Sequence, residues 1–430
     1  MSAVKSFECV VVGAGPAGSA AAIAAVRAGM STLLIDASSR RRDKTCGDGL
    51  TPRAVHSLRT LGLESALPAY RNKGLKLHGF GGSVTAPWPN GSYGTEGSAS
   101  PRTLFDASLA DLATTTGATV LYDCPVTALE HGAEGEITAV VTPKGTFGAR
   151  WVVVADGVRS PVGKLLGRQW HRGEVYGIAA RSYCTTPFAD EPWMHSHVEL
   201  RDSSGEIQPG YGWIFPLGRS APSGKGEARG TVNLGCGALS TDTRPAKVNT
   251  KKLLVEYADQ VRDEWQLGEP SDIASALLPM GGAVSNVAGP NWMLIGDAAA
   301  CVNPLNGEGI DYGLETAIMA VDLLTEASAG SRDRDLTLVW PHELRRRYGE
   351  AFVLARTAAR LLTYPQFLPL AGPIALRGLG GRYLMPAAAR LMGNLISEED
   401  KDLVARAWRA AGSVVSASAI RRGAPLWDAR

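Results

Sequence analysis

Residues 7–36 read FECVVVGAGPAGSAAAIAAVRAGMSTLLID, and this stretch decides the fold. Cys9-Val10-Val11-Val12 is an apolar run with the length and composition of a buried parallel strand. It ends in Gly13-x-Gly15-x-x-Gly18, an Ala-rich segment follows to Ala28, and a second apolar run from Thr32 to Ile35 ends in Asp36. Each part has a physical task in holding a dinucleotide. Gly13 permits a tight turn, Gly15 lets the backbone approach a pyrophosphate, and Gly18 lets helix and strand pack closely. The helix amino-terminus offers unpaired N–H groups and the positive end of its dipole to phosphates. Asp36, about twenty residues on, can accept from both ribose hydroxyls. Strand, glycines, helix, second strand and acid in this order predict a dinucleotide site, whereas a lone glycine-rich turn would not.

Outward from that unit, a basic cluster, Arg40-Arg41-Arg42, leads into Thr45-Cys46-Gly47-Asp48-Gly49-Leu50 and a helix from Pro52 to about Leu61. The cluster reads either as a solvated loop or as a lining for the nucleotide's phosphates. Two glycines around an acid in CGDGL suggest backbone forced close to a flat or bulky group. From Leu75 to Pro89 the chain is Gly- and Val-rich, a β excursion from which a helix starting at Arg102 returns. Ala118-Thr119-Val120-Leu121 and two short strands from Thr127 to Ala149 read as a meander. Trp151-Val-Val-Val-Ala-Asp156-Gly157 and Asn291-Trp-Met-Leu-Ile-Gly296-Asp297 are two further apolar strands ending in acids. In an open α/β sheet, ligands gather at such carboxyl ends. Strands are expected near 175–183, 212–216 and 231–237, with a loop at Ser220 to Arg229, and a long helix runs from Ile310 to about Leu324. Nucleotide-type elements thus sit at three places with β segments between them, so the first domain is discontinuous.

The 430 residues carry a formal net charge of +2 and six scattered cysteines without a CxxC pair. Near-neutral charge provides no field for nucleic acid, and the cysteine pattern, with a core strand starting almost at once, suggests a reducing cytoplasm. His195-Ser-His197 lacks a visible third ligand, so the expectation is surface strand residues and no metal. Leu361 to Leu376 is uncharged but broken by Pro365, Pro369 and Pro373, too short for the roughly 20 residues of a spanning helix. With Arg377, Arg382 and Arg390 around Leu384, Met385, Leu391, Met392 and Leu395, it suits peripheral contact with an anionic membrane; a lid over an apolar tunnel and plain core packing are the alternatives.

The series GAGPAG, CGDGL, Arg102, ADG and GDAA…NPLNGEGI resembles flavoproteins of the para-hydroxybenzoate hydroxylase type from the first strand to about residue 330. Within these, CGDGLTPRAV with GYGWIFPLG resembles the geranylgeranyl reductase family, including actinobacterial members that act on the menaquinone tail. The resemblance implies an α/β plus β fold: a discontinuous Rossmann-type FAD-binding domain (1–74, 100–166, 276–330), an inserted antiparallel β-sheet substrate domain (75–99, 167–275), and a helical, membrane-associated region (331–430). It implies FAD held on its ADP side by Gly13, Gly15, Pro16, Ala17, Gly18, Asp36, Ala37, Arg42 and Val126. Arg102, Asp156, Gly157, Gly296 and Asp297 would serve the pyrophosphate and ribityl chain. Cys46, Gly47, Pro304, Gly307, Gly309 and Ile310 would lie about the flavin ring. Tyr211, Trp213 and Phe215 would line the substrate pocket, with Cys46 and Tyr211 as proton donors.

No second GxGxxG follows a strand, so NAD(P)H binds transiently or another redox protein supplies electrons. The implied reaction is saturation of an isolated C=C in a polyisoprenoid, one isoprene unit of menaquinone, at the inner face of the cell membrane. Geranylgeranyl diphosphate and a prenyl lipid carry the same reactive unit. A flavin monooxygenase or halogenase on the same fold is the different chemistry, although GYGWIFP departs from the halogenase WxWxIP pattern. A lipid-binding protein that merely retains flavin is the non-enzymatic alternative.

Overall fold

The computed structural model describes residues 4–219, 230–330, 335–378, 381, 387, 390–391, 393, 395–396, 399–420 and 426–427. The expected loop 220–229 and Arg382, Leu384, Met385 and Met392 lie outside the described residues.

Four apolar runs become neighbours in one parallel sheet. Lys5–Val12 lies between Thr32–Ile35 and Gly145–Val154, and Trp292–Leu294 extends the sheet beyond the latter. Val12 is in register with Ile35 and Val154, and Val154 with Leu294. Their carboxyl ends therefore reach one edge at one level. Gly13, Asp36, Asp156 and Asp297 follow these ends, which is how residues far apart in sequence meet. Thr119–Leu121 completes the parallel set beside Thr32–Ile35. The expected meander differs in two respects, the first being that Thr119–Leu121 lies in the parallel set and does not pair with Ala128–His131. Second, its last strand and the strand before Asp156 are a single strand, Gly145–Val154, whose first half pairs antiparallel with Ile137–Thr142. Gly148 and Arg150 interrupt the apolar pattern there and made one strand read as two.

The helix Pro16–Arg27 packs almost wholly through small residues, Gly18 to Ala22 and Ala25 being buried. Small side chains let it approach the helix Ile310–Ala329, where a Cβ on Gly313 would stand 3.3 Å from that of Ala17.

A second sheet orders Ser271–Pro279, Tyr176–Thr186, Gly230–Ser240, Tyr211–Pro216, Met194–His197, Gly74–Gly79 and Gly82–Pro87. The early excursion thus joins strands from the middle of the chain, through a parallel pairing of Gly74–Gly79 with Met194–His197. One face of this sheet is covered by Thr250–Trp265, whose Leu253, Leu254, Tyr257, Ala258 and Val261 recur at helical spacing and are buried against Ile214, Val232 and Leu234. Each of the leucine and valine side chains removed from water contributes about 1.5–3 kcal/mol. Tyr211, Trp213 and Phe215, alternating with the residues that face the helix, are left for the opposite face.

His195 and His197 are not surface residues. They are 3% and 8% exposed, stacked with His78 at centroid distances of 5.1 and 4.6 Å. Alternation puts all three on the helix-covered face, where His78 Nε2 meets His195 Nδ1 at 3.0 Å and Tyr257 Oη meets His197 Nδ1 at 2.7 Å. Among the described residues no three His, Cys, Asp or Glu side chains are grouped so as to hold a metal. Burial first, and then neighbouring charges, push His195 down to about 2 and His197 to about 3 from an ordinary 6.5. Below pH 6.5 the unfolded chain binds protons that the native rings refuse, so the stabilisation is present above that pH and is lost as pH falls. Each of the two rings should cost about 1.4 kcal/mol per pH unit. Chemical denaturation between neutral pH and the onset of acid unfolding should show this slope, reduced by one proton's worth in His195→Asn. An unchanged slope would mean the trio does not limit acid stability.

Candidate active site

The glycine turn is built from contacts that only glycine tolerates. Gly13 adopts φ +106°, and a Cβ there would lie 2.3 Å from Ala155 O; on Gly18 it would lie 1.7 Å from Gly13 O. Asp36, buried, accepts from the N–H of Ala14 and of Ser38, both at 2.7 Å, which fixes the carboxylate across the turn. The basic cluster divides. Arg40 pairs with Asp111 at the surface, whereas Arg42 reaches inward to Asp36 at 3.5 Å and Asp106 at 3.2 Å. Arg102, 2% exposed, makes a bidentate pair with Asp106 at 2.7 and 2.8 Å. The Arg42 and Arg102 guanidiniums stand 2.9 and 3.8 Å from where a Gly15 Cβ would be. Two cations over a glycine turn, at the amino-terminus of a helix without a side-chain cap, fit a diphosphate. Ala37 is exposed beside Asp36. Val126 is half-buried two residues after Cys124, whose N–H donates to Asp36 O.

At the next carboxyl end, Asp156 accepts from Val162 N at 2.8 Å, and burial pushes its carboxyl up. Space is open around Gly157. Asp297 binds Lys44 Nζ at 2.5 Å. Burial would raise its carboxyl, but Lys44, Arg102 and Arg42 together hold it below the usual range. Gly296 sits against Ala17, and Gly309 directs its missing Cβ at Asp297 Oδ1, 2.8 Å away. The turn Gly307–Gly309 thus opens the helix Ile310–Ala329 beside Asp297, while Pro304 lies further off near Gly281 and Arg356.

The loop Cys46–Gly49 is held by the second sheet. Asp48, fully buried at φ +62°, accepts from Tyr183 Oη at 2.7 Å and Asn233 Nδ2 at 2.9 Å. Asn233 Nδ2 also donates to Cys46 O, and Asn233 Oδ1 accepts from Trp213 Nε1, both at 2.8 Å. Burial raises Asp48 to about 6 in spite of these bonds and of Arg102 and Arg181. Beneath the loop, Arg181 has no exposed side-chain surface and ties down Asp43. Gly47 then presents bare backbone to Phe215 and Trp213, whose rings a Cβ would approach at 3.1 and 3.5 Å. Sequence reading missed Asp48, Asn233, Tyr183, Lys44 and Arg181; only the acid in CGDGL carried a local signal.

Both nominated proton donors are protonated at neutral pH. Burial pushes up the Cys46 thiol, against the pull of Arg102, and its sulfur accepts from Asp48 N at 3.3 Å. Burial and Glu308 push Tyr211 up to about 12, and its hydroxyl donates to Asn306 O at 2.9 Å. The phenolic proton is therefore engaged while the thiol proton is not so committed. A surface groove of about 930 Å³ between the helices Pro52–Thr60, Ile310–Ala329 and Leu336–Leu362 includes none of the nominated residues.

Comparison with known proteins places most of the chain in one family. The family model described as FAD binding domain matches residues 6–354. The menaquinone reductase of Mycobacterium tuberculosis is 51% identical over 96% of this chain and 97% of its own. The digeranylgeranylglycerophospholipid reductase 1 of Methanopyrus kandleri is 28% identical over 83% of this chain and 90% of its own. A solved geranylgeranyl bacteriochlorophyll reductase-like protein of Thermoplasma acidophilum superposes with a TM-score of 0.73 at 20% identity, covering 95% of this chain and 100% of that one.

Proposed function

We propose that this chain, which belongs to the FAD binding domain family, is an FAD-dependent prenyl reductase that saturates an isolated C=C of a polyisoprenoid, one isoprene unit of the menaquinone tail. The observation that carries the reading is the seat of Cys46–Gly47: a thiol and bare backbone beside Trp213 and Phe215, on a loop pinned by Asp48. The 51% identity to a menaquinone reductase along nearly the whole chain supports the choice of substrate.

Bound FAD, once reduced, supplies a hydride. The remaining tasks fall to the protein. Arg42, Arg102 and the amino-terminus of Pro16–Arg27 hold the diphosphate, and Asp36 holds the adenosine ribose. Asp297, paired with Lys44 at 2.5 Å, would serve the ribityl and pyrophosphate side of the cofactor. An unactivated alkene has no carbonyl to polarise, so rate must come from orientation. Tyr211, Trp213 and Phe215 hold the chain against the cofactor and exclude water, and the Cys46 thiol gives its proton to the carbon that does not take the hydride. A nicotinamide that binds transiently, or another redox protein, provides the electrons.

The substrate is delivered from a membrane surface. Among the described residues no helix is long and apolar enough to cross a bilayer. The helix Phe367–Leu376 instead presents Leu370 and Ile374, 72% and 70% exposed and four residues apart, while Gly372 and Leu376 anchor it on Phe80. Arg360 and Arg377 bracket this helix in the chain, Arg360 paired with Glu174 at 2.9 Å and Arg377 donating to Phe80 O, so the apolar pair is what meets the membrane. The double variant Leu370→Glu, Ile374→Glu should lose tail reduction of menaquinone in anionic vesicles but keep it in detergent. Equal loss in both, or in neither, would remove the membrane role, and no reduction by the unaltered protein in either would remove menaquinone as the substrate.

A further inference from the structure

Beside Asp297 lie two carboxyl groups that the reaction above does not use, Asp311 fully buried and Glu308 half-buried with one oxygen enclosed. Glu308 precedes Gly309, which caps the helix Ile310–Ala329 and abuts Asp297 Oδ1. Its Oε1 is fully buried without a hydrogen-bond partner. Asp311, one turn on, has no exposed surface. Its Oδ1 accepts from Tyr312 N at 2.7 Å, and its Oδ2 is likewise buried without a partner. A buried carboxylate oxygen without a donor is not sustained as an anion, and two such groups side by side cannot both ionise.

The charges that face the pair do not relieve it. Glu308 faces Tyr211, Asp311 and Arg53; Asp311 faces Arg53, Glu315 and Tyr93. Arg53 is the only cation among these, and Glu315 takes it bidentately at 2.5 and 2.6 Å. Burial first, then the charge of Asp311 on Glu308 and of Glu315 on Asp311, holds both carboxyls above their usual range against the pull of Arg53.

We propose that the Glu308–Asp311 pair is a redox-linked proton site: it keeps this helix start neutral and takes up a proton from solvent when the adjacent cofactor becomes anionic on reduction. When the pair has lost a proton at alkaline pH, two-electron reduction of FAD by hydride from a nicotinamide, or by dithionite, forms one O–H bond on Glu308 with a proton from water. The net negative charge beside the helix start is then unchanged. The role does not depend on which substrate takes the electrons.

The test is the reduction potential of the bound FAD as a function of pH, in the holoprotein and in Glu308→Gln. At low pH the two should run with the same slope. Where Glu308 ionises in the oxidised protein, the unaltered protein should be steeper by about 30 mV per pH unit, one proton per two electrons. Asp311→Asn should move that window to lower pH by removing the neighbouring acid. Reduction of the unaltered protein at alkaline pH should also produce the infrared C=O band of a newly protonated carboxyl. Parallel slopes at every pH overturn the proposal. Should Glu308→Gln fail to hold FAD, the absence of that band in the unaltered protein overturns it as well.

Discussion

Cys46→Ala is expected to keep FAD and fold while slowing alkene reduction by about 10²–10⁴-fold, the usual contribution of a positioned acid. The thiol is suited to that loss. Its proton is retained because burial raises it, its sulfur is fixed by Asp48 N, and the next residue lies against Trp213 and Phe215. Alanine removes the proton and the sulfur that accepts from Asp48 N, while Tyr183 and Asn233 still anchor the loop at Asp48. The check is single-turnover reoxidation of the reduced protein by substrate, with visible absorbance confirming bound FAD. Unchanged turnover would take Cys46 out of the chemistry and leave it a small residue that fits the loop.

Gly18→Ala is expected to abolish FAD binding. The new methyl would be placed 1.7 Å from Gly13 O, and backbone on both sides cannot yield without opening the turn. Overpacking of this kind costs about 1–3 kcal/mol or more, and it is spent on the geometry that meets the diphosphate. Gly135→Ala is the control. Gly135 has φ +83° at an exposed hairpin tip with nothing within 4 Å of a Cβ, so a penalty of about 1–2 kcal/mol should leave FAD in place. Purified Gly18→Ala should be colourless and Gly135→Ala yellow. A yellow Gly18→Ala protein would mean the helix and turn can separate.

The first unit was legible because its signals are local: an apolar run, three glycines at fixed spacing and an acid one strand later. The acids at 156 and 297 were legible for the same reason, each closing an apolar run. What could not be read was pairing at a distance. Lys44 and Asp297 are 253 positions apart, and Asp48 meets Asn233 across 185. His195 and His197 read as surface residues because alternation does not reveal that a helix covers their face of the sheet. Glu308 lay inside a motif already noted, but the lack of a partner for its Oε1 is a property of the packed site. The nominated aromatics, by contrast, came from the family resemblance of GYGWIFP, and they alternate along one strand.

The most direct measurement is anaerobic. The FAD-loaded protein is reduced with dithionite, mixed with menaquinone in detergent, and the isoprenoid tail weighed by mass spectrometry with the quinone ring's redox state controlled. Prenyl reduction predicts a gain of two hydrogens in the tail, one tail per FAD. No gain with menaquinone, geranylgeranyl diphosphate or a prenyl lipid would contradict it, and oxygen consumption by the same reduced protein with aromatic substrates would then become the reaction to follow.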